Sequence, residues 1–262
     1  MKLELHGEVY GSGAQTKRTP IVILHGLFGS STNWRAVAKQ LACDRTVHVL
    51  DLRNHGVSPH HDEMNYGLMA DDVKHFLATS QLSCAVVIGH SMGGKTAMQL
   101  ALRDSSLVTR LIVVDIAPVR RERSFDTLLD AMESLHLSNT ARRSDLDREL
   151  AKTIPEASVR SFLLQNLVRV ESGFRWRINL QAIRENLSAL LDFRIDLETL
   201  RYHGPTLFVL GEKSDYVLPQ HHATIHTLFP DVRLTTIADT GHWVHAEQPQ
   251  QFVQQIQQFL RD

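Results

Sequence analysis

The chain has 262 residues, with 28 lysines and arginines against 29 aspartates and glutamates, a formal net charge of −1 and a pI near 7.0. That balance speaks against nucleic acid or an anionic membrane surface as the main partner. No apolar run approaches the ~20 residues that span a bilayer, and the length suits one large α/β domain or a domain with an insertion. The first residues, Met1 to Glu8, lack the apolar stretch of a secretory leader, and the two cysteines, Cys43 and Cys84, read as reduced packing residues. A cytoplasmic location is therefore expected.

Taken in order, residues 3–9 alternate Leu3, Leu5 and Val9 with polar neighbours, the pattern of an edge strand. A turn-rich stretch from Gly11 to Pro20 leads to Ile21-Val22-Ile23-Leu24, a continuous apolar run that suits a strand covered on both faces. Residues 33–41 read as a helix, 46–51 as a strand, and 66–78 as a helix with apolar residues at helical spacing. Strand 84–88, a helix from Met92 to Leu102 and strand 111–115 follow. After Ala117-Pro118 the rhythm breaks. Residues 119–200 show amphipathic segments and clustered arginines but no continuous apolar strand, so they read as a helical insertion. The rhythm resumes with strand 205–211, helix 219–229, strand 232–237 and a final helix 247–260. Strands alternating with helices predict an α/β fold, a mostly parallel, doubly wound sheet. Its core is 1–118 and 201–262, with 119–200 as a helical cap.

One segment between a strand and a helix carries two motifs. Gly89-His90-Ser91-Met92-Gly93 is the G-x-S-x-G of a nucleophile elbow, a sharp turn that thrusts a serine hydroxyl outward. The same residues through Lys95 and Thr96 satisfy G-x-x-x-x-G-K-[ST], the phosphate-binding loop, and Leu111 to Asp115 supplies a Walker-B-like run. The readings exclude each other, because a phosphate loop wraps its backbone around the ligand. The nucleotide-hydrolase reading leaves Ser91, His25-Gly26 and Gly241-His242 without a role.

A serine nucleophile needs a histidine base, an acid to orient it, and donors for the developing oxyanion. The chain has 15 histidines, so one alone means little. His242 follows the last strand on a Gly241-containing loop, the position that the order serine, acid, histidine requires; His245 is the nearest rival. Two acids end successive strands, Asp115 and Asp215, and spacing favours Asp215. The Met92 N–H and the Leu27 N–H, in the loop after the first core strand, are the candidate oxyanion donors. Phe28, Trp243, Trp176 and Arg121 are candidates for lining the substrate pocket. Arg120, Arg121 and Arg123 read either as a solvated helix face or as partners for an anionic acyl or CoA group. Arg53-Asn54-His55 reads as a structural element in an exposed loop, with Gly56 closing its turn.

At these residues the chain resembles the α/β-hydrolase superfamily. His25-Gly26-Leu27-Phe28-Gly29-Ser30, Arg53-Asn54-His55-Gly56, Gly89 to Lys95, Val114-Asp115-Ile116-Ala117-Pro118 and Gly241 to Glu247 together are similar to the bacterial YbfF-type esterases and their mitochondrial relatives. The resemblance implies a serine esterase or thioesterase acting on small-molecule acyl esters of any chain length, acyl-CoA included, without a metal or other cofactor and under a small helical cap. It also ranks Asp115 above Asp215 as the acid, against the spacing. C–C bond hydrolases and cofactor-free haloperoxidases share the serine and stand as alternatives.

Overall fold

The computed structural model describes residues 1–11, 18–122, 124–138, 141–195 and 199–261. Seven strands form one sheet in the order β1-β3-β2-β4-β5-β8-β9. They are β1 (Gly7–Tyr10), β2 (Ile21–Leu24), β3 (Val47–Leu50), β4 (Ala85–His90), β5 (Val108–Val114), β8 (Thr206–Gly211) and β9 (Val232–Ile237). Only β1 runs antiparallel, pairing with β3 at the edge; the other pairs are parallel.

Side chains on a strand alternate between faces, and the core divides accordingly. Ile21, Ile23, Ile88, Ile112 and Val209 face one layer, where they meet Trp34, helix α1 (Arg35–Leu41) through Val37, α10 (Val244–Glu247) through Val244 and α11 (Pro249–Phe259) through Phe252 and Ile256. Val22, Leu24, Val87, Val113 and Phe208 face the other. There they pack with α2 (Tyr66–Thr79), α3 (Met92–Arg103) and α9 (His222–Leu228). Because both faces are covered, β2 is apolar along its whole length and β4 from Ala85 to Ile88, and both are buried at every position.

Between β5 and β8 lie α4 (Asp126–Glu133), α5 (Arg143–Leu150), α6 (Ala157–Leu164), β6 (Leu167–Val170), β7 (Gly173–Trp176), α7 (Leu180–Glu185) and α8 (Leu187–Leu191). The antiparallel hairpin β6–β7 adds two short strands to the mostly helical insertion expected. Leu167 and Val168 continue a helical spacing set by Phe162 and Leu163, and a four-residue run is too short for periodicity to separate the two conformations. Smaller differences are local. The edge strand starts at Gly7, not residue 3, and residues Ser31–Trp34 form a 3-10 turn ahead of α1. Cys43 is exposed rather than packed. No helix among the described residues is long and apolar enough to cross a membrane.

Candidate active site

Ser91 sits between β4 and α3 with φ 51° and ψ −115°, a conformation that side-chain-bearing residues rarely adopt. The turn closes because Gly89 lacks a side chain: a Cβ there would fall 2.2 Å from the Gly93 carbonyl oxygen. Gly93, Gly94, Lys95 and Thr96 belong to helix α3 and form no phosphate loop. Lys95 is buried, and its Nζ donates to the Leu191 and Asp192 carbonyls at 3.1 Å each. Thr96 Oγ1 donates back to the Met92 carbonyl at 3.0 Å. The fold thus removes the phosphate-binding alternative.

The loop after β2 lies against the elbow. A Cβ on Gly26 would stand 2.8 Å from His90 Nδ1 and 3.3 Å from Ser91 Cβ, so only glycine lets the backbone bearing Leu27 come this close. Two buried histidines hold the loop in shape. His25 Nε2 accepts the Leu52 N–H at 2.9 Å, and its Nδ1–H donates to the Gly26 carbonyl at 2.8 Å. His55 Nε2 accepts the Phe28 N–H at 3.2 Å, and its Nδ1–H donates to the Arg53 carbonyl at 2.9 Å. Each ring therefore presents one donor and one acceptor, the neutral form, and burial depresses both pKa values, His55 to about 3. Arg53, Asn54 and His55 were expected in an exposed loop; all three are fully buried. Arg53 makes a two-pronged ion pair with Asp72 at 2.7 and 2.9 Å, and that pairing is what permits its burial.

On the far side, His242 Nδ1 is 2.8 Å from Asp115 Oδ2. Asp115 also accepts the Gly211 N–H at 3.1 Å on Oδ1 and the Ser214 hydroxyl on Oδ2. Like Ser91, it has a positive φ, 50°. Asp215 lines a separate cavity of about 270 Å³ with Arg120, Glu122 and His221. Burial favours the neutral form of both partners, pushing the Asp115 carboxyl up and the His242 imidazole down; the Ser214 and Gly211 donors oppose it at Asp115. The His242 carbonyl accepts from His90 Nε2 at 2.9 Å, which ties the histidine loop to the elbow. His245 stands apart from this arrangement, buried and stacked on Trp34 with ring centroids 4.1 Å apart.

Ser91 and His242 line the same cavity of about 420 Å³, together with Leu27, Phe28, Arg121 and Trp243. Phe28 packs edge-on against Phe125 and Trp243 against Phe162, which also line it. Trp176 is instead in β7, its indole N–H donating to the Met132 carbonyl at 3.2 Å. Arg120 and Arg121 precede α4 and belong to no helix, and Arg123 lies outside the described residues. Tyr216, which no sequence motif marks, also lines this cavity. Its ring stacks on His242 at 3.5 Å, nearly parallel, and the Arg121 guanidinium covers its other face at 3.6 Å. A lone aromatic in a loop carries no pattern that would have marked it.

A family model described as the alpha/beta hydrolase fold matches residues 19–249. The chain belongs to the α/β-hydrolase family. It is 42% identical over 248 residues to the mouse sn-1-specific diacylglycerol lipase ABHD11, covering 92% of this chain and 80% of that one. Esterase YbfF of Escherichia coli is 34% identical over 263 residues, all of both chains. Among solved structures, one described as a marine microorganism esterase superposes with a TM-score of 0.93 at 38% identity, covering 98% of this chain and 100% of that one. The resemblance to YbfF-type esterases therefore extends over the whole chain, and the sheet is that of this hydrolase family.

Proposed function

We propose that the chain is a serine carboxylesterase or thioesterase that hydrolyses small-molecule acyl esters, acyl-CoA among the candidates, through an acyl-enzyme. Ser91 Oγ attacks the carbonyl carbon while His242 Nε2 takes its proton. Asp115 holds the imidazole by its Nδ1–H and stabilises the imidazolium. The Leu27 and Met92 N–H groups receive the oxyanion. Collapse of the tetrahedral adduct expels the alcohol or thiol, which takes the proton from His242, and water then repeats the sequence on the acyl-serine. Residues 119–200 act as a cap, contributing Leu128, Ile154 and Phe162 to the cavity wall. Phe28, Trp243 and Arg121 contact the substrate. The scheme needs no cofactor.

The observation that carries this reading is one cavity lined by a serine on a strained elbow and by a histidine whose other nitrogen meets a buried carboxylate. Names of relatives as esterases and lipases support the same class. The test is hydrolysis of p-nitrophenyl esters and acyl-CoAs by the wild type and Ser91→Ala, with fluorophosphonate labelling of the serine. Turnover should fall on the order of 10⁴-fold or more in the variant, and labelling should vanish. Undiminished hydrolysis by Ser91→Ala would sink the assignment.

A further inference from the structure

Two spaces of very different size open onto Ser91. The larger is the cavity of about 420 Å³. The smaller is a recess of about 20 Å³, bounded beyond Met92 by Tyr66, Lys95, Ile116 and Leu190. Leu27, Arg121, Phe125 and Tyr216 form the wall between them. His242 and His90 line the larger space and not the recess.

That asymmetry orients an ester. The base that accepts the serine proton must return it to the departing oxygen or sulfur, so the leaving group lies on the His242 side, in the larger cavity. The remaining substituent of the carbonyl carbon, the acyl chain, is directed away from His242 into the recess. A space of ~20 Å³ is little more than a single water molecule needs, which is the room for the methyl group of an acetyl.

The end of the recess is anchored. A helix leaves its last carbonyls without intrahelical partners, and at the end of α8 core groups take them. Tyr66 Oη donates to the Leu190 carbonyl at 2.5 Å, Lys95 Nζ to those of Leu191 and Asp192, and the Arg121 N–H to Leu191 at 2.8 Å. The backbone that carries Leu190 is thereby anchored beside the recess, which limits how far its side chain can withdraw.

We propose that the enzyme selects on the acyl side, taking acetyl-sized acyl groups joined to bulky apolar alcohols or thiols, and that Leu190, pinned by Tyr66 and Lys95, sets the limit. The proposal rests on the serine-esterase reading above. The test varies the two halves of the ester independently: naphthyl acetate, butyrate and hexanoate on one side, and acetates of ethanol, hexanol and naphthol on the other. In the wild type, kcat/KM should fall at least tenfold from naphthyl acetate to naphthyl hexanoate, and should hold or rise as the alcohol grows. Leu190→Ala should recover hexanoate at least tenfold relative to acetate, and Lys95→Met should move the same way. Hexanoate turned over as well as acetate by the wild type, or a length limit on the alcohol side, overturns the proposal without help from any variant. The Ser91→Ala control separates the failures. An inactive control with the wrong length preference removes only the orientation, whereas an active control, or no ester hydrolysed at all, removes the esterase reading and the orientation with it.

Discussion

At the scale of single residues, the positions differ in how far the sequence alone could place them. Ser91 could be read from its own neighbours, because the steric demand of the turn writes glycine at 89 and 93. His242 could be read from chain order. Which carboxylate meets His242 could not be read from spacing, since separation along the chain does not measure separation across the ends of a sheet. Asp115 ends β5, yet its carboxylate reaches over the end of β8 to the Gly211 N–H and meets His242 beyond β9. Asp215 is nearer in sequence but lines a different cavity. The consequence is a contrast between two amide replacements. Asp115→Asn should lower turnover by up to ~10⁴-fold, because an amide in place of the carboxylate favours the wrong imidazole tautomer. Asp215→Asn should cost far less per folded molecule. Steady-state kinetics of both, with thermal melts to check folding, decide it; a deeper loss in Asp215→Asn at intact stability reverses the roles.

At the scale of elements, periodicity and breakers located the core strands and helices. What they missed depends on contacts distant in sequence. The hairpin β6–β7 was hidden by its shortness. The Arg53-Asn54-His55 loop looked polar and therefore exposed, but Asp72, 19 positions on, neutralises the arginine and allows the whole segment to be buried. That burial has a use. His55 accepts the Phe28 N–H and so fixes the loop that carries the Leu27 N–H beside Ser91. His55→Leu, similar in bulk, leaves the Phe28 N–H and the Arg53 carbonyl without their partner. It should destabilise the fold by about 1–3 kcal/mol, the range for orphaned buried polar groups. If the loop positions an oxyanion donor, kcat should fall about tenfold or more while KM changes little, since that interaction strengthens only in the transition state. Denaturant titration and steady-state kinetics on the folded variant check both halves. Lost stability with unchanged kcat would make His55 a packing residue only.

Across the whole molecule, a chain of near-zero net charge hides an unusual distribution of its titratable groups. His25, His55, His90 and His245 are all buried, and burial lowers the pKa of each, with neighbouring histidines adding to the effect at His55, His90 and His245. These rings line the interior behind the elbow: His90 contacts His245 at 4.8 Å and His245 stacks on Trp34. In the unfolded chain each returns to the ordinary histidine value of ~6.5. Above that pH neither state binds the extra proton and the histidines do not bias folding. Below it the unfolded state takes protons that the folded state refuses, so stability falls as pH falls from ~6.5 toward the depressed native values. A ring that stays neutral in the fold costs up to ~1.4 kcal/mol at pH 5.5, a sizeable increment against the ~5–15 kcal/mol stability of a typical domain, while Asp115, whose carboxyl burial pushes up, works in the opposite sense. The protein should therefore lose stability progressively as pH falls below ~6.5, because the unfolded state binds more protons than the fold. Denaturant midpoints measured from pH 7.5 to 5 read this directly. His245→Phe keeps a ring against Trp34 but removes one titrating group, and should shift the acid transition downward while leaving the midpoint at pH 7.5 within the cost of a repacked ring. Stability that stays flat from pH 6.5 to 5 would mean that the buried histidines accept protons in place, and that the interior behind the elbow is wetter than its burial implies.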